Sequence, residues 1–317
     1  MILPLLAIDF PSWIRPEIIP GLPIRWYGLM YVFAFATAFL VYRKQVKEKK
    51  FPMTDDDLSS MFMWCILGLL VGARLFSTII YDTSGIYRQQ PWLVFWPFRN
   101  GQFTGLQGMS YHGGAFVGTL AVFIYSKVKK LSFREIGDMF AAAIPLGFTF
   151  GRLGNFFNAE LFGRVTNVPW GMVFPGGGPE PRHPSQLYQA FFEGIVLWAI
   201  IWFFRNRKPF KGFLIGLYFI GYGFFRFIIE YFRQPDSDLG FRISWGASPI
   251  FQFTTGQILS FWMIVFGLVW LAVASRLPDR EPIRIYGEEP AKRQIDPEEA
   301  AKDRNKRRKM RRKMRKN

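Results

Sequence analysis

The chain has 317 residues, one cysteine, two histidines and a formal net charge of +17; half of its residues are apolar and 19% are aromatic. A single cysteine excludes an intrachain disulfide, and no Cys or His cluster has metal-ligand spacing. Charge is packed into short blocks between apolar runs of roughly 17–25 residues, the length that crosses a bilayer. This excludes a pair of soluble domains and predicts one all-α polytopic membrane domain, residues 1–274, followed by a basic tail, 275–317.

The first element, residues 1–10, is apolar but lacks a basic start and is interrupted by Pro4 and Pro11. It reads as an interfacial segment rather than a cleaved signal peptide. The first of seven expected helical spans, 24–42, opens with Arg25-Trp26-Tyr27-Gly28, where Trp and Tyr are ordinary interface anchors. The second, 58–81, carries Cys65 and Arg74. Cys65 lies in an apolar run and reads as a small buried side chain. An arginine in a span costs about 2.5–3.5 kcal/mol on insertion scales, so Arg74 must face a partner or a wet cavity. The third span, 111–126, opens with Met109-Ser110-Tyr111-His112-Gly113-Gly114. The small neighbours of His112 leave its ring reachable, and histidine titrates in the range that suits proton abstraction near neutrality. Its alternative is a hydrogen-bonded interfacial histidine.

The fourth expected span, 136–150, ends at the densest polar stretch of the chain: Gly151-Arg152-Leu153-Gly154-Asn155-Phe156-Phe157-Asn158-Ala159-Glu160-Leu161-Phe162-Gly163-Arg164. Polar groups at the edge of hydrocarbon usually serve a site. Arginine makes forked hydrogen bonds to phosphate, Asn155 and Asn158 supply neutral donors and acceptors, and Glu160 can orient an arginine or take a proton. Glycines such as Gly163 let backbone approach a ligand. Together they predict a site for an anionic, phosphorylated ligand at a membrane face.

The fifth span, 187–204, follows His183-Pro184-Ser185-Gln186-Leu187-Tyr188. Ser185 reads as its N-cap, and His183 is a second candidate base. In the sixth span, 213–232, Arg226 and Glu230 are four apart and can pair on one helix face. A structural ion pair and a phosphate-facing arginine with spare donors are both open readings. The seventh span is 258–274.

Basic residues sort the loops. Arg43, Lys44, Lys47, Lys49 and Lys50 follow the first span, Lys127, Lys129, Lys130 and Arg134 the third, and Arg205, Arg207, Lys208 and Lys211 the fifth. The alternate loops are poorer in cations, so the basic loops and the C-terminus are expected in the cytoplasm, with the N-terminus and the 151–164 stretch on the other side. The tail has no apolar periodicity and is expected to be disordered, attracted to anionic membrane lipids at about 1 kcal/mol per basic residue near the leaflet. No recognition motif accompanies it, so nucleic acid is not an expected partner.

The residues 151–166, with Arg25-Trp26-Tyr27-Gly28, Ser110-Tyr111-His112-Gly113-Gly114, Arg182-His183-Pro184-Ser185-Gln186-Leu187-Tyr188 and Arg226-Phe227-Ile228-Ile229-Glu230, resemble the motifs of bacterial prolipoprotein diacylglyceryl transferase, in the same order, to about Ala274. The resemblance implies a seven-helix body with a small periplasmic head in the bacterial inner membrane. It also implies transfer of the diacylglyceryl group of phosphatidylglycerol to the lipobox cysteine of a prolipoprotein, forming a thioether and releasing glycerol phosphate. Family roles then fall on Tyr27, His112, Arg152, Asn155, Glu160, Gly163, Arg226 and Glu230, with no metal or cofactor implied. Gln107 and Gln189 stand where the family commonly has Gly and Glu. A transporter for an anionic solute and a non-enzymatic lipid-binding scaffold are the rival classes.

Overall fold

The computed structural model describes residues 7–19, 25–82, 84–99, 101–103, 108–234, 241–244 and 252–278. Much of the N-terminal segment and nearly all of the tail therefore lie outside the described residues. Each expected span becomes helical, but several limits move. Helix α1 (Trp26–Glu48) carries Arg43, Lys44 and Lys47 on its last turns, where cations complement the helix dipole, rather than in a loop. Helix α2 (Asp55–Ile79) starts at a capping box in which Thr54 Oγ1 accepts from the Asp57 amide at 3.0 Å, and three aspartates fill its first turn. A short helix α3 (Ile86–Gln89), a 3-10 turn at Pro91–Val94 and the antiparallel pair Phe98–Arg99 and Gln102–Phe103 lead to α4 (Tyr111–Val128).

Arg74 on α2 is 2% exposed, and it meets the Tyr87 side chain and several main-chain carbonyls. Its guanidinium donates to the carbonyls of Val94, Leu93 (2.9 Å) and Gly108 (3.1 Å), so it anchors the segment between α2 and α4. The two helices pack so closely that a Cβ on Gly72 would lie 2.3 Å from the Gly113 carbonyl.

The fourth expected span is two helices, α5 (Phe133–Ala141) and α6 (Ile144–Phe157). Pro145 sits in the first turn of α6, where an amide would have no helical partner anyway. Helix α6 continues through Gly151 to Phe157, so Arg152 and Asn155 lie on its final turns, not in a loop beyond the span. Helix α7 (Ser185–Phe204) is continuous, but its middle, Ala190–Val196, is π-helical. Pro184, not Ser185, is its N-cap residue; the Ser185 hydroxyl instead donates to the Leu161 carbonyl at 3.0 Å. Helices α8 (Phe213–Ile229) and α9 (Thr255–Ala274) complete the described fold. By length and composition, α2, α7 and α9 are long and apolar enough to cross a membrane, and α8 is apolar but shorter.

Helix α2 packs on α4, α8 on α9, and α1 on α6. The alternating chain direction gives the bundle two ends. At the basic end, the close of α1 and α4, the start of α2 and the body of α5 enclose Tyr42, Met53, Leu58, Met61, Ile136 and Met139. Asp138 on α5 is fully buried there. Its carboxylate accepts from the amides of Gly212 (2.9 Å), Leu214 (2.9 Å) and Ile215 (3.3 Å) and from Lys208 Nζ (2.8 Å), capping the N-terminus of α8. At the opposite end lie the strand pairs, including the parallel Ile8–Asp9 with Met172–Val173 and the antiparallel Phe241–Ser244 with Gln252–Thr254. Two surface clefts lie apart from the polar stretch: one is lined by Trp92, Trp96 and Phe98, the other by Trp198, Trp202 and Arg205.

Candidate active site

Two polar groups form at the end opposite the basic loops. The first is built on the last turns of α6. Arg152 Nη1 donates to Asn155 Oδ1 at 3.3 Å, and Asn155 Nδ2 donates to Glu160 Oε1 at 2.7 Å. The Arg152 guanidinium also stacks on the Phe148 ring, 4.6 Å from its centroid. Past Phe157 the chain turns with Ala159 (φ 53°) and Leu161 (φ 56°) in the left-handed region, an unusual conformation for either residue. The start of α7 holds this turn: Gln186 Nε2 donates to the Glu160 carbonyl at 2.6 Å, beside the Ser185 bond to Leu161. Glu160 is thus fixed through both its side chain and its main chain.

Gly163 comes next, paired with Arg233 across a single β-bridge. A Cβ there would lie 2.4 Å from the Phe232 carbonyl and 2.7 Å from His183 Cβ, so only glycine fits without displacement. Arg164 Nε donates to the Arg233 carbonyl at 2.9 Å, which ties this group to the end of α8. Tyr27, at the start of α1, packs on Gly154, and its hydroxyl is 2.9 Å from that of Tyr31. Glu160 and Arg152 are its charged neighbours.

The second group is built on the end of α8. Arg226 and Glu230 form the expected i,i+4 ion pair at 2.9 Å. Arg233 approaches the other Glu230 oxygen at 3.8 Å, and the Thr254 hydroxyl donates to it at 3.1 Å. Thr254 also caps α9 in a capping box with Gln257. Gly256 admits the carboxylate, since a Cβ there would lie 2.8 Å from Glu230 Oε1. Between the groups stands Glu193, from the π-helical segment of α7, fully buried and 4.0 Å from Arg226 Nη1. Arg226 is its strongest charged neighbour and Arg152 the next, so one carboxylate lies in the field of both arginines.

His112 stands apart. It is exposed on the first turn of α4, with its ring edge-on to that of Tyr111. Tyr111 itself lies in the field of Arg152 and Glu193, which puts the histidine beside the cluster rather than within it. Asn158 caps the C-terminus of α6, with its side-chain oxygen buried and without a hydrogen-bond partner among the described residues. His183 has a structural setting: Trp170 Nε1 donates to the Tyr188 oxygen at 2.6 Å, and the same hydroxyl is hydrogen-bonded to His183 Nδ1 at 3.1 Å. Burial pushes the His183 pKa down. Through Tyr188 and Gln186 the start of α7 is thus tied to Trp170 and to the Glu160 turn.

Sequence reasoning missed Glu193, Arg233, Thr254 and Gly256. Glu193 carried a usable signal: it is an ionisable residue inside an apolar run, as Arg226 is. The others gain meaning only from contacts made across the fold.

An apolar helical bundle with arginines, carboxylates and amides gathered at one end has the character of a helical membrane protein. The family model for prolipoprotein diacylglyceryl transferase matches residues 16–273, and the chain belongs to that family. It is 48% identical to the phosphatidylglycerol–prolipoprotein diacylglyceryl transferase of Treponema denticola, over 85% of this chain and 95% of the relative. The enzymes of that name from Treponema pallidum (45% identical, 88% of this chain and 99% of the relative) and Chlorobaculum tepidum (42% identical, 83% and 94%) are similarly close.

Proposed function

We propose that this chain transfers the diacylglyceryl group of phosphatidylglycerol to the lipobox cysteine thiol of prolipoproteins, the activity its relatives' names describe. The observation that carries the reading is the pair of arginine–carboxylate groups, a half-buried Arg152 linked through Asn155 to Glu160 and a half-buried Arg226 paired with the buried Glu230, with the buried Glu193 in the field of both arginines. In the reaction the thiol loses its proton, sulfur bonds to the glyceryl carbon, and the bond from that carbon to the phosphate oxygen breaks. The thiolate is the reactive form. Glycerol phosphate leaves with the charge, which Arg152 and Arg226 stabilise. Asn155 and Glu160 orient Arg152, Glu230 orients Arg226, and Tyr27, Asn158 and Gly163 line the lipid's approach. His112, exposed beside the cluster, is the candidate acceptor of the thiol proton.

We place seven crossings in the bacterial inner membrane, with α5 and α6 together making one of them. The positive-inside rule sets the basic end in the cytoplasm and the site end in the periplasm, where the strand pairs form a small head. The N-terminus is then periplasmic and the C-terminus cytoplasmic. An anionic-solute transporter would carry charge along a path through the bilayer, whereas these polar groups collect at one end.

The test is the purified full chain with phosphatidylglycerol and a lipobox peptide, read by mass. The expected result is a peptide carrying one added diacylglyceryl group on cysteine. No mass gain from a folded protein would refute the reading. The same assay run across pH tests His112: its substitution by Gln should lower turnover more than lipid binding and change the pH–rate profile, and an unchanged profile would send the proton elsewhere.

A further inference from the structure

Glu193 is fully buried, yet neither of its carboxylate oxygens has a hydrogen-bond partner at close range among the described residues. Arg226 Nη1, at 4.0 Å, is a charge neighbour beyond hydrogen-bond range. The Tyr222 hydroxyl is the hydrogen-bond neighbour of the carboxylate, and a carboxylate has lone pairs beyond the one it would use. Four residues earlier on the same helix, Gln189 is also fully buried, and neither atom of its amide is paired. Buried polar groups are expensive when unsatisfied, and nearly all find partners. Two such side chains on one helix, beside or within a π-helical segment, are unusual; π segments occur frequently at functional sites. The free acceptors of Glu193 lie in the field of the two arginines that take the phosphate in the reaction above.

The ligand chemistry that completes this set is a neutral hydroxyl donor a few bonds from a phosphodiester. A headgroup ammonium would satisfy the carboxylate but would meet the Arg226 guanidinium 4.0 Å away. A headgroup without donors would leave Glu193 unsatisfied. We propose that Glu193, assisted by Gln189, reads the headgroup hydroxyls of the lipid donor and so selects a polyol phospholipid. This rests on the transferase reading and adds to it the residue that distinguishes the leaving group.

The experiment compares two lipids with the full chain in detergent: phosphatidylglycerol, and phosphatidylpropanol, which keeps the phosphodiester and both acyl chains but has no headgroup hydroxyl. A lipobox peptide is the acceptor, and kcat/KM is measured for each. Wild type should favour phosphatidylglycerol by roughly ten-fold or more, as expected for hydroxyl donors meeting a buried charged acceptor. Glu193→Gln should lose more on phosphatidylglycerol than on phosphatidylpropanol, chiefly through KM, bringing the two lipids toward parity. Gln189→Leu should shift the ratio in the same direction. Equal use of both lipids by wild type overturns the proposal without any substitution, so the test does not depend on the variants folding. An equal loss on both lipids in Glu193→Gln also overturns it, because that marks a residue that only positions Arg226. Absence of turnover on either lipid marks the failure of the transferase reading itself, and the proposal falls with it.

Discussion

Arg152 makes two different contacts with one guanidinium: a hydrogen bond to Asn155 and a stacked contact with Phe148. A lysine keeps the charge but has neither the planar face nor the fork. Arg152→Lys should therefore lose at least roughly ten-fold in kcat/KM, close to the loss in Arg152→Ala. Turnover close to wild type in the lysine variant would show that charge alone suffices. His183 makes a separate prediction about stability. Burial lowers its pKa, so the folded protein favours the neutral ring and the unfolded chain binds the proton more readily. The contribution is fully present above the unfolded histidine pKa of about 6.5 and is lost as pH falls through the lowered folded value. The unfolding temperature should fall as pH drops below that point, and His183→Gln should flatten the fall. Identical acid sensitivity in the two proteins would assign it to other groups.

At the scale of elements, the basic end depends on one carboxylate. Asp138 accepts three amides at the start of α8 and the ammonium of Lys208, all while fully buried. Asp138→Ala leaves those donors unpartnered and should lower stability by about 2–4 kcal/mol. Because the site lies at the other end, KM for lipid in the surviving folded protein should hold. Calorimetry and kinetics on the same preparation check both halves. The helices themselves were legible, since the apolar runs are long and the cationic loops alternate. The break between α5 and α6 was not. It falls inside one apolar run, and Pro145 alone does not distinguish a helix start from a kink. The π-helical turn of α7 was equally hidden, because a local widening leaves the apolar pattern unchanged. The Arg226–Glu230 pair was readable from spacing along one helix. The bonds from Thr254 to Glu230 and from Gln186 to Glu160 join separate elements, and no periodicity reports them.

The whole molecule separates anchoring from chemistry. Pairs such as Arg43–Asp55 (2.7 Å), Lys129–Asp57 (2.7 Å) and Lys211–Glu135 (3.2 Å) lie at the basic end, whereas the arginines assigned to phosphate lie at the other. The charged tail continues from the basic end, so truncation after Gly287 should spare turnover in detergent with saturating lipid. A folded, inserted truncation that loses turnover would show that the tail reaches the site. Thr254 has a consequence for the order in which the protein is made. A chain leaving the ribosome has the described hydrogen-bond partners of the Arg152, Asn155 and Glu160 side chains and of the Glu160 carbonyl once Gln186 has emerged. Arg226 and Glu230 must wait for Thr254, whose hydroxyl reaches Glu230 only as α9 begins. Helix α9, the last of the described helices, therefore completes the second arginine–carboxylate group, and a chain stopped before it carries the Arg152 group without a finished counterpart.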